Sequence, residues 1–297
     1  MSGKHRAPAP APAPAPVTPE AGTRSRRRWV VPAAVALVLL VAVPLLVLRP
    51  WQSEPVASSS DWPPGDWNQV FGDEFDGERL DPDVWDTDRA DRGGDDLAAV
   101  PFNPVIEDAW FDPDNATLAD GNLVLTVEEE QRSLFGQDYA YSSGMVQSTP
   151  ALTLEPTRYV EARIRFPGCS GCWPAFWLHP QGQWPPEIDI AEFLESGSES
   201  RPSFNYIQAD EQKTGPDMYG DPDVDYRDDF HTYGVLWDGV KAVPYVDGVA
   251  QDALTADENM TSVPMMIILN LSVRGGYQPP PGVSMLVDWV RVWEPSA

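Results

Sequence analysis

The chain has 297 residues, with 46 acidic and 20 basic side chains, a formal net charge of −26 and 42% apolar residues. The apolar share fills a core and excludes a wholly disordered chain. The acidity excludes nucleic acid as a partner, because a negative field repels phosphate backbones. Two cysteines exclude a disulfide-dense mini-domain, and 32 prolines with 12 tryptophans argue against a helical bundle.

The charge is unevenly divided. Residues 1–50 carry Lys4, Arg6, Arg24, Arg26, Arg27, Arg28 and Arg49 against Glu20, which leaves 13 basic and 45 acidic residues, a net of −32, over 51–297. Residues 1–28 contain an alternating Ala-Pro stretch and then the basic cluster, and read as a disordered cytoplasmic tail. An uncharged run follows from Trp29 to Leu48. At 1.5 Å per residue such a run spans roughly 30 Å, the thickness of a bilayer core. The cations on its N-terminal side predict a single-pass anchor over 29–48, with the N-terminus in the cytoplasm and the remainder outside the cell. A cleaved signal peptide is the alternative, although its apolar region is usually only ~7–15 residues. Under either reading residues 51–297 are exported. Residues 49–66, with Ser58-Ser59-Ser60 and Pro63-Pro64, read as a linker.

Residues 67–297 are predicted to form one all-β domain. Alternating apolar runs recur at Gly121 to Val127, Arg158 to Phe166, Lys241 to Asp247, Met265 to Leu271 and Met285 to Trp293, separated by Gly, Pro, Asp and Asn. Period-2 patterning with turn punctuation predicts short strands, and many of them predict a jelly-roll sandwich of two antiparallel sheets. Cys169-Ser-Gly-Cys172 precedes Trp173. In an oxidising compartment a tight disulfide is expected there; a redox motif would open a helix, and zinc would need a second ligand pair. Trp173, Ala175 and Trp177 share one strand face, which either presents indoles to a sugar or packs as core. Trp184, just before an acidic strand, is the better sugar platform.

That strand carries the chemistry: Glu187-Ile188-Asp189-Ile190-Ala191-Glu192. Alternation puts Glu187 and Asp189 on one face, with Ile188 and Ile190 on the other. Glu192 then falls on the wrong face unless a β-bulge at Ile190-Ala191 restores it. With the bulge, the two glutamates lie roughly 13 Å apart at Cα, and side chains leaning together can reach the ~5–5.5 Å of a retaining glycosidase. One carboxylate would attack the anomeric carbon while the other serves as acid and then base. Asp189 between them can hold a proton and split their pKa values. A solvated acidic strand is the competing reading.

The hexapeptide resembles the signature of glycoside hydrolase family 16 in the bulged form typical of laminarinases. Other motifs resemble the family in order: Gly72-Asp73-Glu74-Phe75-Asp76-Gly77 with Trp85, Asp120-Gly121-Asn122-Leu123, Tyr141 to Val146, Tyr159 to Ile164, Trp173-Pro174-Ala175-Phe176-Trp177-Leu178, Phe230 to Tyr233, Tyr245 to Gly248 and Val287 to Val292. The resemblance implies a jelly roll whose concave sheet forms the sugar cleft, with Glu187 as nucleophile, Glu192 as acid/base and Asp189 assisting. It implies a retaining endo-hydrolase of 1,3- or mixed 1,3-1,4-linked β-glucan that needs no catalytic cofactor. It also implies a structural calcium held by Glu74, the Gly121 carbonyl and Asp288. Pro186 stands where the family often has Gly, and Phe204-Asn205-Tyr206 looks closer to the mixed-linkage enzymes. Arg163 is placed to hydrogen-bond substrate hydroxyls or steady Glu187, or else to form a solvated salt bridge. Asn205 donates to a sugar hydroxyl or satisfies a turn. The expected partner is a polysaccharide, and the domain is expected to be monomeric. A lectin-like glucan binder and a transglycosylase remodelling envelope polysaccharide are the alternatives.

Overall fold

The computed structural model of the protein describes residues 65–296 apart from 90–94, 195–198, 209, 228, 253–255 and 257–259, all within the unit Glu54–Ala297. The stretches expected to form a cytoplasmic tail (1–28) and an anchor (29–48), and nearly all of the expected linker, lie outside the described residues. Among those described, no helix is long and apolar enough to cross a membrane.

The strands in chain order are β1 (Trp67–Asp73), β2 (Trp85–Asp86), β3 (Ala109–Phe111), β4 (Ala116–Ala119), β5 (Asn122–Glu128), β6 (Arg132–Leu134), β7 (Gln137–Tyr139), β8 (Tyr141–Ser143) and β9 (Met145–Ser148). They continue as β10 (Arg158–Arg165), β11 (Cys172–His179), β12 (Glu187–Glu192), β13 (Ser203–Ile207), β14 (Lys213–Met218), β15 (His231–Trp237), β16 (Ala242–Val246), β17 (Val249–Ala250), β18 (Met266–Val273) and β19 (Val283–Pro295). One sheet has the order β17-β16-β15-β10-β19-β5-β8-β3, with β1 on β19 and β4 on β5; the other runs β14-β13-β12-β11-β18-β9-β2; β6 and β7 form a small hairpin. Pairing is antiparallel except between β3 and β8. The five runs predicted from alternation all lie on strands, and the expected all-β sandwich is the architecture observed.

Alternation explains the layers. On β5, Leu123, Leu125 and Val127 are fully buried while the residues between them are partly exposed. They meet Val160, Ala162 and Ile164 of β10, and Phe176, Leu178, Ile188 and Ile190 of the second sheet, in one continuous core. Burying an Ile or Leu side chain contributes about 1.5–3 kcal/mol relative to leaving it exposed. Asp120-Gly121 links β4 to β5 with φ of 52° and 73°, and Asp247-Gly248 links β16 to β17 with 48° and 74°. Two successive positive φ values match the right-handed strand twist in a two-residue hairpin, which is why an Asp-Gly pair stands at each.

The seven-stranded sheet therefore has one face in the core and one face turned away from it. That second face, on β11, β12, β13 and β18, carries the acidic strand's polar side chains.

Candidate active site

Backbone register fixes the positions. Trp177 lies opposite Asp189 and Phe176 opposite Ala191, so Ile190 has no partner on β11. On the other side, Asp189 lies opposite Asn205 and Glu192 opposite Ser203. The bulge is at Ile190-Ala191, as the alternation required. Ile190 and Ala191 both enter the core, and Glu192 returns to the outer face beside Glu187 and Asp189. A bulge leaves a ladder carbonyl without its regular donor; here the Tyr219 hydroxyl donates to the Ile190 carbonyl at 2.7 Å. Ser203 Oγ donates to the Glu192 carbonyl at 3.1 Å, which holds the strand beyond the bulge.

Three rows of side chains cross this face. Asn270, Ala175, Glu192 and Ser203 form one; Ile268, Trp177, Asp189 and Asn205 form the next; Glu187, Ile207 and Lys213 form the third. Above them is a cleft of about 510 Å³ lined by all three acids and by Trp173, Trp177, Trp184 and Asn205. Its far wall comes from the segment between β2 and β3: Arg89, Phe102, Asn103 and Glu107. Glu107 is buried, accepts from the Ser272 hydroxyl and the Asn103 amide, and is raised above the usual carboxyl range chiefly by desolvation.

Each glutamate receives an indole N–H. Trp184 Nε1 donates to Glu187 Oε2 at 2.7 Å, and Trp173 Nε1 donates to Glu192 Oε1 at 2.5 Å. Asn205 Nδ2 donates to Asp189 Oδ2 at 2.7 Å, so its amide serves the acid rather than a turn. Burial raises the Asp189 carboxyl well above the ordinary range, and the adjacent Glu187 charge raises it further. Asp189 is thus a proton holder that hydrogen-bonds Glu187. Glu187 itself is pushed up to about 7, first by desolvation and then by the charge of Glu192, against the lowering effect of Trp184, Asp189 and Lys213.

The tryptophans divide their roles. Trp184 is 53% exposed and offers an open ring face. Trp173 is half-buried, with the Arg274 guanidinium 5.9 Å from its ring. Trp177 is only 7% exposed. His179 packs on it at 5.0 Å and Phe102 meets its edge at 4.7 Å, while its Nε1 donates to Asn270 Oδ1 at 2.7 Å. It lines the floor and orients Asn270 more than it offers a surface to a sugar. Cys169 and Cys172 form a disulfide with Cα atoms 5.5 Å apart, closing the turn that leads into β11.

Two expectations are corrected. Arg163 does not reach the cleft: it lies on β10, in the other sheet, where its guanidinium bonds Asp288 Oδ2 at 2.5 Å and sits 4.7 Å from the Phe230 ring. The salt-bridge alternative was the right one. The calcium set does not fit either. Both Glu74 oxygens accept from Arg291 at 2.8 Å, and Asp288 accepts from Arg163, so two guanidinium groups already neutralise carboxylates that a cation would need. Among the described residues no group of three or more His, Cys, Asp or Glu is placed to hold a metal.

Several lining residues were not expected from the sequence: Arg89, Glu107, His179, Lys213, Asn270 and Ser272. Asn270 and Ser272 had a signal, since they interrupt an apolar strand on one face. Lys213 and the far wall had none, because long-range pairing alone brings them in.

The sequence profile of Glycosyl hydrolases family 16 matches residues 107–291, more than half of the chain. The chain belongs to glycosyl hydrolases family 16. Glycosidases of this family need no catalytic cofactor. This family 16 chain is 30% identical over 244 residues to endo-1,3-1,4-beta-glycanase EglC of Rhizobium meliloti, covering 76% of this chain and 51% of that protein. It is 29% identical to glucan endo-1,3-beta-glucosidase A1 of Niallia circulans, covering 76% of this chain and 38% of that one. The chain thus spans about half or less of the length of these relatives. The catalytic domain of a laminarinase from Thermotoga petrophila superposes with a TM-score of 0.63 at 26% identity, covering 78% of this chain and 100% of that one.

Proposed function

We propose that residues 67–297 form a retaining endo-glycosidase that hydrolyses β-glucan with 1,3 or mixed 1,3-1,4 linkages. The bulge at Ile190-Ala191 carries this reading, because it sets Glu187, Asp189 and Glu192 on one face under a cleft. Relatives named endo-1,3-1,4-beta-glycanase and glucan endo-1,3-beta-glucosidase support the polymer class.

Glu187 attacks the anomeric carbon as a carboxylate, held by the Trp184 indole and by protonated Asp189. Glu192 gives its proton to the glycosidic oxygen, and the C–O bond breaks to leave a glycosyl ester on Glu187. Glu192, now ionised, takes a proton from water as that water attacks the same carbon and releases Glu187. Two inversions retain the configuration. Trp184 supplies an apolar ring face against which a sugar can lie.

The test uses laminarin and lichenan with reducing-end detection, and proton NMR of the first product. The expected product is the β anomer, and Glu187→Gln and Glu192→Gln each lose at least ~10²-fold in kcat, the scale of one acid/base group. An α product, or a Glu187→Gln variant at normal rate, overturns the assignment. The membrane anchor over 29–48 belongs to the same proposal: protease outside intact cells should remove the glucanase domain, and protection contradicts it.

A further inference from the structure

Lys213 occupies a particular place in the sheet. It lies opposite Ile207 on β13, and Ile207 lies opposite Glu187 on β12. Residues directly opposite in adjacent antiparallel strands point to the same face, so Lys213 and Glu187 share the cleft side, two strand spacings or about 10 Å apart at Cα. Both line the cleft. Lys213 is exposed, which leaves its flexible four-carbon stem free to swing the ammonium inward.

The surroundings give that cation weight. The other charged groups facing Glu187 are Asp189 and Glu192 on its own strand, and Arg89 with Glu107 on the far wall. Arg89 and Glu107 act on each other. β13 contributes no charge, and β11 contributes His179, whose Nδ1 donates to the Pro180 carbonyl at 2.6 Å. Among the described residues no carboxylate forms an ion pair with Lys213. Its field therefore falls on the Glu187–Asp189 pair and favours a negative charge there. With 45 acidic against 13 basic residues over 51–297, the field of the whole domain disfavours ionisation, so a local cation has a task.

We propose that Lys213 is an electrostatic positioning residue of the glucanase site, keeping one negative charge on the Glu187–Asp189 pair so that Glu187 can attack beside protonated Asp189. The proposal rests on the hydrolase reading above.

The experiment is the pH dependence of kcat/KM on laminarin for wild type, Lys213→Met, Lys213→Arg and Glu187→Gln. The ascending limb reports ionisation of the nucleophile in the free enzyme. Removing a cation raises the pKa of a nearby acid, so Lys213→Met should move the limb upward by on the order of half a pH unit, about threefold in kcat/KM on the acid side. Lys213→Arg should restore it. The gap between wild type and Lys213→Met should close at about 1 M salt, where the screening length is ~3 Å. A folded Lys213→Met with an unmoved limb overturns the proposal. So does a changed KM with the limb in place, which makes Lys213 a substrate contact, or a gap that persists at high salt. An active Glu187→Gln would instead sink the hydrolase reading itself, so the two failures are distinguishable.

Discussion

The Tyr219 hydroxyl reaches the backbone of the acidic strand β12 and donates to the Ile190 carbonyl at 2.7 Å. Tyr219 is 2% exposed, and burial raises its phenol well above its ordinary range, so it stays a donor at any working pH. An unsatisfied buried carbonyl costs about 1–3 kcal/mol. Tyr219→Phe should lower stability by that amount in urea and reduce kcat more than it raises KM, because the bulge that aims Glu192 loses its clamp. A stability loss with unchanged kcat would make the bond structural only.

Deleting Ala191 tests the bulge directly. Without the extra residue, strict alternation over Glu187-Ile188-Asp189-Ile190-Glu192 still points Glu192 to the cleft face, so the bulge can be removed without burying the acid. The deletion should leave glucan hydrolysis measurable and lower the thermal transition, because β12 must re-pair with β11 and β13 beyond Asp189. Ala191→Gly keeps the residue count and should keep most of the activity. A folded deletion variant with no turnover would show that the bulge sets the spacing of Glu187 and Glu192 as well as their face.

Glu161 lies on β10, away from the cleft, and is 7% exposed. Desolvation pushes it up to about 7, although Thr232 and Tyr159 hydrogen-bond its carboxylate. In the unfolded chain the group ionises near its ordinary value of 4.5. Between these values the folded state binds more protons, so its stability falls as pH rises from about 4.5 to 7 and the deficit is complete above 7. Glu161→Gln removes the charge and keeps the shape. It should therefore be stabilised relative to wild type at pH 8, by about 2–3 kcal/mol compared with pH 5. A pH-independent difference in Tm would contradict a buried ionised Glu161.

Arg163→Gln separates the two sheets by function. The pair with Asp288 is mostly buried, at 13% and 24% side-chain exposure, so breaking it should cost roughly 1–2 kcal/mol, between the surface and fully buried cases. Because the pair sits on the sheet opposite the cleft, kcat/KM on laminarin should stay within about twofold. A selective kinetic loss without destabilisation would return Arg163 to the site.

Much of this was legible in the sequence because it depends on period-2 alternation along single strands. Glu187, Asp189 and the need for a bulge before Glu192 follow from counting along one ribbon. The same counting put Trp173 and Trp177 on one face. Alternation gives a face but not which sheet is which, and Arg163 was misassigned for that reason. It also says nothing of partners across strands: Lys213 reaches Glu187 only through Ile207, and Glu107 reaches the cleft from a separate segment. The calcium expectation failed on Arg291 and Arg163, whose carboxylate partners are set by long-range pairing of β1 and β10 with β19.

Because Glu187 and Glu192 sit on one strand with its own internal kink, the gap between the two carboxylates is a property of six residues. Connecting segments around the rim, including the stretch that supplies Arg89 and Glu107, can be recut without retuning that gap. A scaffold built this way separates choice of polymer from bond breaking, and swaps of rim loops between family members should change which glucan is accepted while leaving the chemistry in place.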